Sequence, residues 1–481
     1  SRHRSGYDHD GDGFTEVPVI NSQSVGMRTF FRTGAYSRIT AQYHHINEFR
    51  RGGDMLDRPP HEALIAEQID HSIDGGSLSF DISSPDRRNR FNAYASFQNT
   101  ARKSYYGSKQ DPDAYGTTHD LTVAAGMQYI HEFRKLLFMP SELTFGTEYS
   151  YDDLGDRSIG YDIHTDQTVH IVGAYLQNEW KTRKWSLLVG RLDKHNLVDH
   201  VIFSPRVNVR FNPSEAVNLR VSYAGGYRAP QAFDEDMHIA IVGGKRVRIR
   251  LADDLREERS HSVSLSADLY HTFGKVQTNL LVEGFYTILD DVFALRDMDD
   301  AADGGKVKER YNGSGATVRG FNVEGRAAFT RWFELQAGVT LQQSRYKEPE
   351  FWSEDAEVPP VRRMFRTPDA YGYFTASFKP VRNFTADLSG TCTGSMLVQH
   401  MAGSGVAQDV AVSTPSFFDM NIRLSYDVRI YKEITMQLYG GVQNLFNAYQ
   451  KDFDKGVDRD SGYIYGPSLP RSWFVGAKFS F

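Results

Sequence analysis

Apolar and polar residues alternate along this chain in runs of 9–11 residues, and this period of two limits its fold more than any other feature. Residues 203–211 (FSPRVNVRF) place apolar side chains at odd positions and polar ones at even positions, and residues 217–227, 262–269 and 333–342 repeat the pattern. Each run predicts a β-strand with one apolar and one polar face. Soluble β-sandwiches alternate too, but their strands are usually about 5–6 residues long. The longer runs have the length of tilted strands that cross a bilayer. A polar face with Arg, Asn, Glu and Gln is typical of the water-filled lumen of a membrane barrel.

Composition argues against several other classes of protein. The chain has 55 Lys+Arg and 61 Asp+Glu, a net charge of −6, which argues against a nucleic-acid binder. A single cysteine, Cys392, excludes an internal disulfide and a Cys-rich zinc site. No apolar run approaches the length of a transmembrane helix, although a barrel hides its apolar face in alternate residues. No phosphate loop, nucleophile elbow or paired Cys or His ligand set is present, so we expect no enzyme.

Short and long connections alternate between the predicted strands, as they do in outer-membrane barrels. The short turns are residues 33–37, 84–89, 212–216, 272–275 and 381–383. The long segments are residues 50–67, 104–118, 230–257, 296–310, 347–361, 401–413 and 449–461.

This arrangement predicts an all-β protein, a transmembrane antiparallel β-barrel integral to the bacterial outer membrane. About nineteen strands fit between Ile20 and Phe481, with residues 1–19 predicted as an extracellular loop and residues 20–481 as the barrel. Bacterial barrels have an even number of strands, and the plugged 22-stranded type fits best, with about three strands and the plug domain expected to be absent from this chain. Either a fragment or a protease-nicked receptor would account for that.

Several motifs occur in the order found in one family. They are GRLD at 190–193, FSPR at 203–206, YRAP at 227–230 followed by Leu255 and Glu258, RTP at 366–368, and a C-terminal series of VQNLFN at 442–447, YIYGP at 463–467 and KFSF at 478–481. Together they resemble the TonB-dependent outer-membrane receptors of the siderophore, haem and cobalamin type.

This resemblance implies active uptake of a scarce nutrient whose cargo carries iron or cobalt. It also implies several partners: an N-terminal plug portion, the TonB–ExbB–ExbD system acting through that plug, outer-membrane lipid and lipopolysaccharide, and for some relatives a surface lipoprotein lid. No resident cofactor is required. A passive channel or adhesin is one alternative function, and an outer-membrane barrel enzyme is another.

An acidic segment near the start of the chain resembles the beginning of a calcium loop. In residues 8–16 (DHDGDGFTE), Asp8, Asp10, Asp12 and Glu16 can converge on one hard cation, which we expect to be Ca²⁺. The twelfth position of an EF-hand would be Val19 rather than Glu, so that motif is incomplete. An acidic, solvated turn is the alternative interpretation.

Other candidate ligand-binding residues lie in the long segments. The resemblance implies a role for Tyr227 and Arg228, and for His238, which lies roughly where haem receptors of the family carry an axial iron ligand. Tyr463 and Tyr465 are candidates for an aromatic mouth that captures a ligand, although a membrane-interface girdle would also place aromatic residues there. The basic stretch at 243–250 suits an anionic chelate or a lipopolysaccharide phosphate.

Overall fold

The computed structural model describes residues 2–182, 185–189, 192–195, 197–231, 247–298, 306–353, 355–403, 405–431, 434–460, 462–467 and 469–480. The first half contains β1 Arg2–Arg4, β2 Thr15–Gly34, β3 Ser37–Gly53, β4 Ile65–Ser83, β5 Asn89–Ser108, β6 Tyr115–Leu136, β7 Met139–Ser158, β8 Ile163–Lys181, β9 Trp185–Val189, β10 Leu192–His195, β11 Val201–Phe203, β12 Arg206–Ser214 and β13 Val217–Arg228. The second half contains β14 Val247–Leu251, β15 Glu258–Phe273, β16 Val276–Asp290, β17 Phe293–Asp297, β18 Lys306–Asn312, β19 Ala316–Thr330, β20 Phe333–Glu350, β21 Val361–Arg363, β22 Ala370–Val381, β23 Phe384–Thr393, β24 Leu397–His400, β25 Val410–Ser413, β26 Phe417–Tyr431, β27 Ile434–Gln443 and β28 Ser472–Ser480. Two short 3-10 helices, Pro60–Glu62 and Ile159–Tyr161, lie in connections.

Among the described residues, one antiparallel sheet of 23 strands dominates the fold. Two of its members, β1 and β21, are short strands that flank the ends of longer ones. Strands β9 and β10 follow one another along the same position in the sheet, and so do β11 and β12. The described residues therefore form nineteen strand positions across the sheet. The prediction of a transmembrane β-barrel with about nineteen antiparallel strands is therefore confirmed.

The two faces of the sheet have opposite chemistry, as the alternation predicts. Directly paired residues share a face, so each row across the ladder can be followed from strand to strand. One row of the outward face contains Val221, Leu265, Gly284, Phe321 and Leu341.

The neighbouring row on the inward face contains Arg220, Ser266, Glu283, Asn322 and Thr340. These inward side chains bond along the row, because Thr340 donates to Asn322 at 2.8 Å and Asn322 donates to Glu283 at 3.1 Å. An apolar outside and a hydrogen-bonded polar inside are what a membrane barrel requires.

The strands of the first half are longer than predicted. Strands β2 to β8 contain 17–22 residues, compared with the predicted 9–11. The main-chain ladder continues beyond the runs of alternating hydropathy, so the hydropathy pattern does not reveal the outer ends of these strands. The first long strand accordingly begins at Thr15 rather than Ile20, and Arg2–Arg4 pairs with it, so the expected extracellular loop at residues 1–19 is partly strand.

Buried apolar contacts concentrate at the end of the sheet that carries the long connections. One cluster joins three of these connections and contains Ala63, Ala66, Tyr105, Ala114 and Tyr161. A second contains Met396, Val398 and Tyr463. Within the described ranges, no helix has the length and hydropathy needed to cross a bilayer.

Candidate functional site

The acidic segment folds into a tight turn whose carboxylates bind main-chain N–H groups. Asp8 accepts hydrogen bonds from Gly11 at 2.7 Å and Gly13 at 2.9 Å, and Glu16 accepts one from the His9 N–H at 2.8 Å. Gly11 and Gly13 adopt φ angles of +74° and +93°, in the left-handed region that favours glycine. The turn therefore depends on both the acidic residues and the glycines of the segment.

The turn is held from outside by Arg459, which lies in the last long connection. Its guanidinium binds Asp12 through Nη2 and Glu16 through Nη1, the latter at 2.9 Å, and lies 4.8 Å from the centre of the Phe14 ring. The Arg459 side chain is only 10% exposed and that of Glu16 only 1%. Asp12 also accepts from the Gly456 N–H at 2.8 Å. These contacts join the first and last described loops into one unit.

Aromatic stacking and a second ion pair extend this contact. The His9 ring stacks on Tyr449 with centroids 4.4 Å apart and on Phe453 at 5.5 Å. Lys455 lies 3.5 Å from Asp10, but it is 67% exposed and contributes little. We call the contact of residues 8–16 with residues 449–459 the loop bridge.

The predicted metal ligands do come together. Asp8, Asp10, Asp12 and Glu16 each offer one carboxylate oxygen, and these oxygens lie within 4.8 Å of one another. Two of the four carboxylates also face Arg459, so a guanidinium already neutralises part of the cluster.

Electrostatics at Asp12 are set by three influences. Burial acts to raise the pKa of Asp12, but N–H donors from Gly456 and Phe14 and the charge of Arg459 outweigh it and hold the pKa below its ordinary value. Asp12 is therefore a carboxylate at neutral pH.

Tyr463 and Tyr465 lie side by side in the last long connection and share one anchor. Their hydroxyl groups donate to the two oxygens of Asp452, at 2.8 Å and 2.5 Å, and burial together with this bond raises the pKa of both tyrosines. Tyr463 is 3% exposed and stacks on His400 with ring centroids 3.7 Å apart. A tyrosine this buried packs the loop rather than presenting a free surface to a ligand.

Gln450 fixes the main chain around these tyrosines. It is fully buried, donates to the Tyr463 carbonyl at 2.9 Å and accepts from the Tyr465 N–H at 2.9 Å. Arg366, the arginine of the RTP motif, donates to the Ile464 carbonyl at 2.9 Å and to the Gly462 carbonyl. Two motifs that are far apart in sequence therefore meet in one loop structure.

Tyr227 and Arg228 end strand β13 and point in opposite directions. Tyr227 shares the outward face with Tyr223, because the β13–β15 ladder has no register shift between them. Arg228 lies on the inward face, where it forms an ion pair with Glu258 at 3.9 Å and lies 5.6 Å from the centre of the Phe293 ring. Of this pair, Arg228 is the residue placed towards the lumen. His238 lies outside the described residues.

A small sheet among the long connections carries several basic residues. Strands β14, β18 and β17 form it, with β14 and β18 parallel. Buried Glu309 sits at its centre, bonded by Arg296 through Nε at 2.8 Å and approached by Arg250 at 3.7 Å. Arg310 is also buried, and its Nη1 donates to the Gln231 carbonyl at 3.4 Å. The Glu309 carboxylate thus contacts two arginines, of which Arg250 belongs to the predicted basic stretch.

Arg459 and Gln450 were not identified from the sequence. Arg459 lies 447 residues from Asp12 in the chain, and an isolated arginine in a polar loop carries no motif. Gln450 is indistinguishable in sequence from a solvated loop glutamine.

Comparison with known proteins agrees with this architecture. A family model described as TonB dependent receptor-like, beta-barrel matches residues 1–445. Among solved structures, a mutant of the ferric enterobactin receptor PfeA from Pseudomonas aeruginosa superposes with a TM-score of 0.74 at 14% identity, covering 97% of this chain and 70% of that chain.

Two further structures are similar. The siderophore receptor PirA from Acinetobacter baumannii has a TM-score of 0.71 at 15% identity, covering 98% of this chain and 72% of that chain. The ferric-catecholate import receptor Fiu from E. coli K12 has a TM-score of 0.70 at 12% identity, covering 97% of this chain and 75% of that chain. No curated protein matches this sequence significantly.

Proposed function

Because the chain belongs to the family of TonB-dependent receptor-like β-barrels, integral proteins of the outer membrane that serve nutrient uptake, we propose that it takes up a ferric siderophore by a TonB-dependent mechanism. The observation that carries the proposal is the wide antiparallel sheet with a polar inner face and long connections gathered at one end. Such a barrel offers a wet interior and an outer mouth large enough for a chelate.

The charge of the outer connections favours an anionic cargo. Arg250 and Arg296 lie together around the carboxylate of Glu309, Arg250 also lies 3.7 Å from Asp253, and Lys308 is paired with Asp297 at 3.1 Å. Arginine groups of this kind attract anionic ligands over a distance and hold them by charge-assisted hydrogen bonds. The relatives described as ferric enterobactin and ferric-catecholate receptors take chelates of iron, which is consistent with this choice.

Arg228 is the candidate that we assign to the lumen mouth, through its inward position and its contact with Phe293. Haem is the competing cargo, and for it His238 remains the proposed axial ligand. Cobalamin is a third possibility that the family resemblance implies. Tyr463 and Tyr465 are proposed to shape the mouth indirectly, by holding the last long connection on Asp452.

The test measures binding and uptake with a matched pair of variants. The protein would be expressed in a bacterium that lacks its own iron receptors, and uptake of ferric siderophores, haem and cobalamin would be compared. Arg250→Gln should weaken binding of the anionic ferric chelate roughly threefold. Arg58→Gln, which removes another exposed arginine with a 3.7 Å ion pair, should leave binding unchanged.

Several outcomes would contradict the proposal. If the protein takes up haem but no siderophore, and His238→Ala abolishes the haem uptake, the cargo is haem and not a siderophore. Uptake that persists after deletion of TonB would contradict energy coupling through a plug portion. If the Arg250→Gln and Arg58→Gln proteins bind the ferric chelate equally well, the sheet of β14, β18 and β17 takes no part in ligand capture.

A passive channel or adhesin is the second candidate, and conductance distinguishes it. A large, steady open current through the purified protein in planar bilayers would favour diffusion over active import. The matched structures are receptors and transporters rather than enzymes, so the enzyme alternative finds no support among them.

Calcium remains a proposal for the acidic turn. The proposal is supported by four carboxylate oxygens that lie within 4.8 Å of one another. The guanidinium of Arg459 competes with Ca²⁺ for these carboxylates, because it already pairs with Asp12 and Glu16. Isothermal titration with Ca²⁺ would decide between the two cations. Binding in the unmodified protein would support a metal site, whereas binding only after removal of Arg459 would assign the site to the guanidinium.

A further inference from the structure

We propose that Tyr463, Tyr465 and Asp452 form a site that binds a ferric ion directly, through oxygen atoms of the protein itself. The three side chains lie in the last long connection, between strands β27 and β28. The site is independent of the siderophore proposed above, because here protein side chains and not a chelate hold the metal.

Three oxygen-bearing side chains converge at this point. The Tyr463 hydroxyl lies 2.8 Å from one carboxylate oxygen of Asp452, and the Tyr465 hydroxyl lies 2.5 Å from the other. The two tyrosine rings meet edge to face, with their centroids 5.3 Å apart. An octahedral ion with bonds of about 2.0 Å holds neighbouring oxygen ligands about 2.8 Å apart. The oxygens of this cluster therefore already have the spacing that such an ion requires.

The donor set is typical of a hard trivalent cation. Carboxylate oxygens suit hard metal ions, and a tyrosine oxygen binds the haem iron of catalase. Two phenolates and one carboxylate carry three negative charges, which together equal the charge of Fe³⁺. A free phenol is protonated at neutral pH, so binding releases two protons to solvent, one from each tyrosine. Ca²⁺ and Mg²⁺ polarise a phenol too weakly to displace its proton, so the pair of tyrosines selects against them.

Asp452 lacks a cationic partner in the part of the chain that the structure describes. None of the Lys, Arg or His side chains there forms an ion pair with it, whereas Asp12 pairs with Arg459 and Asp454 with His400. Asp452 is also exposed. An exposed carboxylate that holds two phenols but no cation leaves negative charge that a metal ion can neutralise.

Neighbouring side chains hold the two tyrosines in place. Buried Gln450 bonds the Tyr463 carbonyl and the Tyr465 N–H, both at 2.9 Å. The Tyr463 ring stacks on His400, and the centre of the Tyr465 ring lies 6.0 Å from that of Phe417. These contacts fix the rings and direct both hydroxyl groups at the same carboxylate. The ligands are therefore preorganised for a metal ion.

The site is accessible from one side. Tyr463 is packed inside the loop, but Tyr465 is half-buried and Asp452 is exposed. Three protein oxygens leave about half of an octahedral coordination shell free. A ferric ion can therefore enter from the solvent side, and water or the oxygens of a small anion fill its remaining positions.

A visible charge-transfer band tests the site, because a phenolate bound to Fe³⁺ absorbs visible light and a carboxylate does not produce this band. The full receptor, purified in detergent and free of siderophore, is titrated with ferric nitrilotriacetate, which contains no phenol. We expect the band to appear as iron is retained through washing. Tyr465→Phe removes one phenolate and Asp452→Asn the carboxylate, and each should lower the affinity for iron more than about tenfold. Tyr465→Phe should also weaken the band.

Tyr115→Phe is the matched control, because it removes a tyrosine hydroxyl from another long connection, where that group bonds His61 at 2.7 Å. It should leave both the band and the affinity unchanged. Heat-modifiable electrophoretic mobility checks that each variant folds.

Two results would overturn the proposal. Iron that is retained without a visible band is held by carboxylates elsewhere, and a band that is equally strong in the Tyr465→Phe and Tyr115→Phe proteins arises from other tyrosines. Because nitrilotriacetate is not a siderophore, either result leaves the proposed uptake of a ferric siderophore to its own test.

Discussion

Removal of Arg459 should open the loop bridge between the two ends of the described chain. Arg459→Gln leaves the Asp12 and Glu16 carboxylates without their cation, and both side chains are at most 13% exposed. Loss of one partner from a buried ion pair costs about 3–5 kcal/mol, because the remaining charge stays desolvated. Water can enter at the loop surface, so we expect the lower end, about 3 kcal/mol.

Amide hydrogen exchange measures this opening directly. The Gly456 N–H donates to Asp12 at 2.8 Å and reports whether the loops are in contact. A cost of about 3 kcal/mol corresponds to roughly a hundredfold faster exchange. The control is Lys455→Gln, which removes a neighbouring cation that is 67% exposed and 3.5 Å from Asp10. We expect that substitution to change exchange less than about fivefold.

The pH dependence supplies a second test of the same contact. The pKa of Asp12 is lowered in the folded protein, so its stabilising contribution is present above its unfolded pKa of 3.8 and is lost as the pH falls through the folded pKa. Acid should therefore open the loop bridge in the unmodified protein. In the Arg459→Gln protein, acid should instead relieve repulsion among the remaining carboxylates and slow exchange.

A compensating variant makes the reasoning refutable. Asp12→Asn, Glu16→Gln and Arg459→Met together replace the charges with neutral groups, and such replacements are often close to neutral in stability. Exchange at Gly456 should then return most of the way to that of the unmodified protein. If Arg459→Gln exchanges no faster than Lys455→Gln, the buried ion pair does not hold these loops together.

Two further substitutions test the outer connections. Gly53→Ala should lower the thermal unfolding temperature in detergent, since Gly53 has a φ of +102° and an added Cβ would lie 2.0 Å from the Ile65 carbonyl oxygen; Gly456→Ala, with a φ of +73° and open space around it, should cost only about 1 kcal/mol. Gln450→Leu should speed proteolysis of the last long connection, because the buried Tyr463 carbonyl loses its donor at a cost of about 1–3 kcal/mol. Equal melting of the two alanine variants, or unchanged proteolysis of Gln450→Leu, would contradict these accounts.

The alternation of polar and apolar residues determined the class of fold. A period of two requires only that each strand has one apolar and one polar face. Leu265 and Ser266 can therefore be assigned to the outward and inward faces without knowledge of the neighbouring strands. The same alternation predicted about nineteen strands, and the spacing of Asp8, Asp10, Asp12 and Glu16 predicted their convergence. These are local properties, set by residues close together in the chain.

Contacts between distant segments were decided by the tertiary structure alone. The strand lengths exceeded the prediction because main-chain pairing above the membrane leaves no hydropathy pattern. The partnership of Arg459 with Asp12 arises because folding brings residues 8–16 against residues 449–459, and 447 residues of chain separate the two side chains. The sequence makes Tyr463 a candidate for an aromatic mouth but does not reveal its burial, which arises because His400 covers its ring and Asp452 holds its hydroxyl group. Burial depends on which loops pack together, and that information is not local to any segment of the sequence.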